Sequence, residues 1–101
     1  MSEYYTSYKE LVDLFLGGAT VGLSGANGRN RNLKIEGALL VHYDTTMAER
    51  SGSNIYINDT YYSLQSRKVQ KILLENIPEE KQIIVKGVKR GYGKKLSNLV
   101  K

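Results

Sequence analysis

The chain has 101 residues, of which 41% are hydrophobic, and its formal net charge is +5. A chain of this length forms one domain and buries about two-thirds of its surface, which is enough for a single core. Because it contains no cysteine, disulfides and thiolate metal sites are excluded. No apolar run approaches the ~18 residues of a membrane span, and no secretory signal is visible, so we expect a cytoplasmic protein without a membrane partner.

The positive charge is concentrated at the end of the chain. Residues 1–85 carry nine Lys or Arg against ten Asp or Glu, a net charge of −1, whereas residues 86–101 carry six Lys or Arg and no acid. We therefore expect a single α+β domain over residues 1–87 and a flexible basic tail over 88–101. Such a tail is either an electrostatic arm for a polyanion or an acidic partner, or a solvated terminus.

The first predicted element is a helix. Ser7 and Glu10 have the spacing of a capping box, and Gly17 is expected to supply the left-handed residue that stops the helix. The helical period places four side chains on one face, namely Tyr8, Leu11, Val12 and Phe15. We expect this helix to cover the sheet.

A short strand over 19–23 precedes a loop rich in Gly and Asn over 24–32. Gly and Asn tolerate positive φ, so this stretch indicates a wide hairpin connection. The loop also carries Arg29 and Arg31, and the alternative is that these arginines contact phosphate or a partner's carboxylates.

The centre of the chain predicts strands. Apolar and charged residues alternate over 33–36, and residues 38–43 are apolar nearly throughout. The strands predicted over 33–36, 38–49 and 54–58 have the short connections that are typical of an antiparallel meander. Gly37 marks either a tight hairpin or a bulge or bend within one longer strand. With a final strand over 82–87, the prediction is an α+β fold around an antiparallel sheet of four to five strands. The expected inward-facing side chains are Leu33, Ile35, Leu39, Val41, Ile55 and Ile57.

A second helix is predicted over 63–76, with Ser63 as its N-cap. Its expected buried stripe consists of Val69, Ile72, Leu73 and Ile77. Arg67, Lys68 and Lys71 lie away from that stripe. These three cations form either a solvated face or a face that contacts phosphates.

The basic tail contains a short motif, Arg90-Gly91-Tyr92-Gly93, that matches the opening of an RNA-recognition strand. The next positions should be aromatic and apolar but are lysines, and the element order differs, so this is not that domain. The motif still places the aromatic ring of Tyr92 among cationic side chains, an arrangement that is typical of sequence-tolerant binding of single strands. The expected nucleic-acid contacts are Arg67, Lys68, Lys71, Lys89, Arg90, Tyr92, Lys94 and Lys95.

The sequence contains no catalytic signature. His42 is the only histidine and stands within a predicted strand, so it has no cysteine or second histidine with which to form a dyad or a metal site. The glycine-rich stretches have neither dinucleotide-binding nor P-loop spacing. We therefore expect no enzymatic activity, no cofactor and no metal.

The middle of the chain carries a pattern of polar, aromatic and small residues at Tyr43, Thr45, Ala48, Asn58, Tyr62, Ser63, Ser66 and Gln70. Through them, residues 38–70 resemble a family of small phage and mobile-element proteins. That family shows Leu-x-Ser-Tyr-x-Thr-x-Ile-Ala, then a Tyr-x-Asn strand, then Tyr-Ser-x-Thr-Thr-Ser-x-x-Gln at a helix start. This chain departs from the pattern at His42, at Met47 and at the pair Leu64-Gln65.

The resemblance implies a polar cluster where a strand end meets a helix start. Tyr62, Ser63, Ser66 and Gln70 would lie at that helix N-terminus, which attracts anions, and would converge with Thr45 on a phosphate or carboxylate. The alternative is that they only cap the helix and bond it to the strand.

The leading hypothesis is a small non-enzymatic accessory protein of phage type. It would bind DNA or RNA, or a host nucleoprotein, through the basic helix face and the tail in the host cytoplasm. The alternative is an inhibitor of a host defence complex, similar to an anti-CRISPR protein, that acts by protein–protein binding. An exposed sheet edge also allows a homodimer.

Overall fold

The computed structural model describes residues 7–23 and 32–100. In chain order the helices and strands are α1 (Tyr8–Leu16), β1 (Val21–Leu23), β2 (Leu33–Glu36), β3 (Leu39–His42), β4 (Thr45–Ser51), β5 (Asn54–Asn58), α2 (Leu64–Asn76) and β6 (Gln82–Val85). Single 3₁₀ turns at Glu79–Lys81 and Leu96–Leu99 flank β6. The predicted α+β class, with one helix first and another after the meander, is confirmed. Within the described ranges, no helix is long and apolar enough to cross a membrane.

The first helix begins and is buried as its sequence predicts. Ser7 Oγ accepts from the Glu10 N–H at 3.2 Å, and the Glu10 carboxylate accepts from the Ser7 N–H at 2.9 Å, which completes the capping box. The left-handed residue after the helix is Gly18, with φ +105°, whereas Gly17 keeps a helical φ of −80°. The helix therefore ends before Gly17 as predicted, but the left-handed residue lies one position later than expected. The fully buried side chains of α1 are Leu11, Val12 and Phe15.

The strands form one mixed sheet in the order β1-β2-β3-β4-β5-β6. Neighbours from β1 to β5 are antiparallel, and β6 is parallel to β5. The prediction of an antiparallel sheet of four to five strands was wrong in the strand number and in the direction of the last strand. β6 also ends at Val85, short of the predicted 87. The parallel pairing arises because α2 carries the chain back along the sheet before β6 begins, as parallel neighbours require.

The sheet has one strand more than predicted because the stretch 38–49, which was predicted as one strand, forms both β3 and β4. His42 pairs with Thr45, so Tyr43 and Asp44 form a two-residue turn between β3 and β4. Tyr43 takes φ +55°, in the left-handed region. Bulky residues without special turn chemistry rarely adopt that region, so the residue type at position 43 did not predict a turn.

Register decides which side chains of β3 enter the core. Gly37, with φ +63°, lies in a tight hairpin that places Ile35 opposite Leu40. Cross-strand partners share a face of the sheet. Leu40 therefore joins the core under the helices, which the predicted Leu39 and Val41 do not, although Val41 is itself buried at 2% exposed. The irregularity in this region is in β4, where Met47 is the extra residue opposite the Leu40–Val41 step.

The helices cover one face of the sheet. Ile55 and Ile57 of β5 pack with Val69 and Leu73 of α2 in the main core. Tyr56, between them in the strand, belongs to a separate cluster. Successive residues of a strand point to opposite faces, so that second cluster lies on the other side of the sheet.

Residues 88–100, called the C-terminal segment below, cover that second face. Val88 and Leu96 are 3% and 0% exposed and pack with Val85 and Tyr56. The 3₁₀ turn at Leu96–Leu99 contacts β4 and β5. The prediction of a flexible tail over 88–101 is not confirmed, because through residue 100 the chain packs on the sheet with two buried apolar side chains.

Candidate functional site

A cleft opens where the β3–β4 turn, the start of α2 and the C-terminal segment meet. Its volume is about 670 Å³, within the range of roughly 300–1,000 Å³ that is usual for ligand sites. Residues 42–45 with Met47 form one wall, residues 62–66 the second, and Arg90 with Gly91 the third. The cleft therefore combines aromatic, apolar and amide groups with one arginine, Arg90, and one carboxylate, Asp44.

The start of α2 is held by its serines. Ser63 Oγ accepts from the Ser66 N–H at 3.2 Å, and Ser66 Oγ accepts from the Ser63 N–H at 3.1 Å, a capping box in which a serine takes the usual glutamate position. Gln70, one turn further on, is fully buried, and its Nε2 donates to the Asn58 and Thr60 carbonyls at 2.8 and 2.7 Å. Ser63, Ser66 and Gln70 thus hold the helix to the end of β5, and the predicted N-cap at Ser63 is confirmed.

Tyr62 and Arg90 meet across the mouth of the cleft. The Tyr62 hydroxyl accepts from Asn58 Nδ2 at 3.0 Å and donates to the Val88 carbonyl. The Arg90 guanidinium donates to the Tyr62 carbonyl at 3.2 Å and lies 6.0 Å from the centre of the Tyr62 ring. Arg90 forms no salt bridge with any residue in the described ranges. Its positive charge is therefore available to a ligand.

The C-terminal segment delivers Arg90 because it is bonded to the start of β4. The Gly91 N–H donates to Thr45 Oγ1 at 2.8 Å, and the Thr46 N–H donates to the Tyr92 carbonyl at 2.7 Å. A Cβ at Gly93 would lie 3.0 Å from the Asp44 carbonyl oxygen, so the two backbones approach each other closely only because this residue is glycine.

Tyr43 occupies the opposite wall and is 60% exposed. Its hydroxyl donates to Gln65 Oε1 at 3.3 Å and accepts from Asn32 Nδ2 at 3.2 Å. Asn32 Nδ2 also lies 3.4 Å from Gln65 Oε1. These three side chains come from the start of β2, the β3–β4 turn and the first turn of α2, and together they fix the Tyr43 ring at the edge of the cleft.

His42 forms the floor between the cleft and α1. It is 3% exposed, its Nε2 lies 3.4 Å from the Tyr8 hydroxyl, and its ring meets that of Tyr43 edge-on at 4.7 Å. Burial lowers the pKa of His42 below its usual 6.5 and raises that of Tyr8 above 10.0. No acidic side chain pairs with the imidazole among the described residues, so the folded protein favours neutral His42.

We expect this burial to make stability depend on pH. The unfolded chain protonates His42 near pH 6.5, whereas the folded protein resists protonation until the pH reaches the lowered pKa. The free energy of unfolding should therefore fall as the pH is lowered from about 6.5 through the folded pKa. Urea unfolding of wild type and His42→Gln at a series of pH values tests this. Identical pH dependence in the two proteins would contradict it.

The predicted basic face of α2 is only partly free. Arg67 pairs with Asp59 at 2.9 Å and lies 5.4 Å from the Tyr61 ring centre, so its charge is neutralised within the fold. Lys68 and Lys71 are exposed and unpaired within the described ranges. They continue, one and two turns on, the face that begins with Leu64 at the cleft.

Only one of the nucleic-acid contacts that were predicted in the tail lies at the cleft. Lys89, Lys94 and Lys95 are exposed, but they belong to the segment on the sheet face opposite the helices. Tyr92 packs against the second apolar cluster, and its hydroxyl donates to the Lys95 carbonyl at 2.8 Å. Of this group, Arg90 alone joins the cleft. Arg29 and Arg31 lie outside the described residues.

Among the cleft residues that were not predicted as site residues are Tyr43 and Gln65, and Asn32, which is bonded to both, was not predicted either. Asn32 and Gln65 are 33 positions apart and no local pattern relates them. Tyr43 did stand among the positions of the family resemblance. Its departure from strand geometry, which aims the ring at the cleft, has no signal in the sequence.

The fold and the cleft define a small α+β protein in which a mixed sheet lies between two helices and a C-terminal segment. The cleft at one end is lined by aromatic side chains, Arg90 and Asp44. Among the described residues, no three His, Asp or Glu side chains are placed to hold a metal ion. No protein-family model, curated protein or solved structure matches the chain. The resemblance of residues 38–70 to phage and mobile-element proteins therefore stays a prediction.

Proposed function

We propose that this is a non-enzymatic protein that binds single-stranded nucleic acid, with one unpaired base held in the cleft. The observation that carries this proposal is the arrangement of Tyr43, Tyr62 and Arg90 around one open cleft. Proteins that bind single strands combine aromatic platforms for the bases with cations for the backbone. The resemblance of residues 38–70 supports a phage or mobile-element setting.

Tyr43 and Tyr62 would have different roles: Tyr43 would stack on the base, and Tyr62 would hold a cation beside it. The Tyr43 ring is exposed and is held by bonds through its hydroxyl, so it offers a rigid stacking surface at little entropic cost. The φ of +55° at Tyr43 is an unusual conformation of the kind that concentrates at ligand sites. Tyr62 is anchored at its hydroxyl and faces Arg90, which places a cation beside the stacked base.

The backbone of the strand would leave the cleft along exposed cations. Arg90 stands at the mouth, and Lys89 is its neighbour in the chain. Lys68 and Lys71 extend from the cleft along α2. This interface is narrower than the one predicted from the sequence, because Arg67 is paired and Tyr92 is packed.

The test is fluorescence anisotropy with a labelled oligothymidylate of about ten nucleotides. We expect Tyr43→Ala to weaken binding by about 1–3 kcal/mol, the usual contribution of one stacked base. Tyr43→Phe keeps the ring and loses only the hydroxyl, so it should retain most of the affinity. Equal binding by wild type and Tyr43→Ala would contradict the proposed cleft.

Salt dependence separates the arginine's role from that of the ring. Affinity should fall with salt, and Arg90→Ala should reduce the log–log slope by about 0.7, the value for one phosphate on a single strand. Lys81→Ala is the matched control, because it removes one exposed cation beyond the far end of α2. No binding by wild type at low salt would overturn the proposed function.

Leu64 favours a second candidate, an inhibitor that binds a protein of a host defence complex. Leu64 is 75% exposed and Tyr43 is 60% exposed, and both line the cleft. Exposed apolar side chains that share one patch are typical of protein contacts. Recovery of one host protein from nuclease-treated lysate, lost in Leu64→Lys, together with no binding of oligonucleotide, would favour this alternative.

A further inference from the structure

The amide of Gln65 is held in one orientation at the wall of the cleft. Its Oε1 receives the Tyr43 hydroxyl at 3.3 Å and lies 3.4 Å from Asn32 Nδ2. Asn32 Nδ2 has two hydrogens, so it donates to Gln65 and, at 3.2 Å, to the Tyr43 oxygen. The Gln65 carbonyl oxygen is thus directed at its two protein partners.

The burial of Asn32 explains why this orientation is preferred to its reverse. Asn32 is 9% exposed, and its Oδ1 is buried without a partner among the described residues. Rotating the Asn32 amide by half a turn would put its NH₂ group in that partnerless position. An unpaired buried N–H is rarer and less well tolerated than an under-satisfied carbonyl oxygen. Asn32 therefore donates from its NH₂ group to Gln65, and the Gln65 side chain must be oriented so that its Oε1 accepts this hydrogen bond.

This leaves the NH₂ group of Gln65 for the ligand. Gln65 is exposed and lines the cleft, and its Nε2 donates to no acceptor within the described ranges. The wall of the cleft that α2 forms consequently carries an oriented hydrogen-bond donor. Its acceptor is already occupied by Asn32 and Tyr43.

Given the proposed function, on which this step rests, we infer that Gln65 selects the base in the cleft and favours keto bases over amino bases. Thymine, uracil and guanine carry a carbonyl oxygen at O4 or O6, which accepts from the Gln65 NH₂. Cytosine and adenine carry an amino group at the matching position, which would face a second donor. The paired contact that glutamine makes with adenine also needs a free Oε1, and here that oxygen is engaged.

The expected difference in affinity between keto and amino bases corresponds to one hydrogen bond. A single neutral hydrogen bond corresponds to about a 3- to 10-fold difference in affinity. Wild type should therefore bind oligothymidylate about 3- to 10-fold more tightly than oligodeoxycytidylate of the same length. Both probes are pyrimidine strands with the same number of phosphates, so the backbone term cancels in the ratio.

Gln65→Glu is the informative variant. A carboxylate still accepts from Tyr43 and Asn32 but offers the base an acceptor in place of a donor. The ratio should invert, so that the cytidine strand binds at least as well as the thymidine strand, although the added negative charge weakens both. Gln65 lies in the first turn of α2, where a glutamate is favoured by the helix dipole, so the fold should be retained.

Gln65→Met is the matched control, because methionine is similar in length, has no donor and has only a weak acceptor in its thioether. The ratio of the two affinities should therefore fall to about one in this variant. Equal affinity of wild type for the two strands, or the same ratio in wild type and Gln65→Glu, would overturn this inference and leave the proposed function standing. Failure of wild type to bind either strand would instead overturn the proposed function. The two failures are therefore distinguishable in one set of titrations.

Discussion

Replacing Asn58 with alanine is expected to lower the free energy of unfolding by about 3–4 kcal/mol, because it leaves several buried polar groups without partners. Asn58 is fully buried at the end of β5. Its Nδ2 donates to the Thr46 carbonyl and the Tyr62 hydroxyl, both at 3.0 Å, and its Oδ1 accepts from the Thr60 N–H at 2.9 Å. One side chain thus joins β4, β5 and the start of α2.

Urea unfolding followed by circular dichroism measures this loss as a lower midpoint at an unchanged slope. Asn54→Ala is the matched control in the same strand. Asn54 is half-buried, and its side chain makes no hydrogen bond within the described ranges, so we expect a change within about 1 kcal/mol. Equal losses at the two positions would show that the network around Asn58 does not stabilise the fold.

Replacing Glu49 with alanine should release the end of the C-terminal segment. Glu49 is 5% exposed in β4, and its carboxylate accepts from the Ser97 N–H at 2.8 Å and from the Ser97 hydroxyl at 3.1 Å. Hydrogen bonds to a charged group contribute about 1.5–3 kcal/mol each, so we expect a loss of about 3 kcal/mol. The backbone amide of Ser97 should lose protection from hydrogen exchange, which reports local opening.

Two control variants define how much the hydrogen bonds between Glu49 and Ser97 contribute to stability. Ser97→Ala keeps the backbone bond and loses only the hydroxyl, so it should cost about 1 kcal/mol. Glu36→Ala removes an exposed glutamate that pairs with Lys34 at 3.2 Å on β2, and the effect of a surface pair is below about 1 kcal/mol. If Glu49→Ala changed stability no more than Glu36→Ala, the segment would be held by other contacts.

Local chemistry in the sequence predicted the helices well. The Ser7–Glu10 spacing and Ser63 indicated caps that the structure contains, because a cap satisfies backbone donors only a few residues away. The same holds for the apolar stripes of both helices, since helical period alone brings those residues to one face.

The prediction failed where distant segments decide the outcome. The register of β3 depends on how the Gly37 hairpin aligns it with β2, and a shift of one residue exchanges its two faces. The turn at Tyr43 uses a left-handed tyrosine that has no turn signature and is held by Asn32 and Gln65. Basic composition predicted a flexible tail, whereas two apolar side chains and Glu49 hold residues 88–100 to the sheet.

In the candidate site, too, residue type and spacing predicted some members correctly, whereas contacts in the folded protein decided others. Arg90, Tyr62 and Ser63 were singled out from residue type and spacing, and all three line the cleft. Pairing with Asp59 removed Arg67 from the free cations.

The sequence by itself determined the α+β class, the two helices with their caps, and an excess of cations in the last 16 residues, because these follow from neighbours within a few positions. Only the tertiary structure decided that β6 runs parallel to β5, that the C-terminal segment packs on the sheet, and that Arg90 faces Tyr62 and Tyr43 across a cleft. These outcomes depend on contacts between residues 26 to 48 positions apart, for which sequence periodicity carries no information.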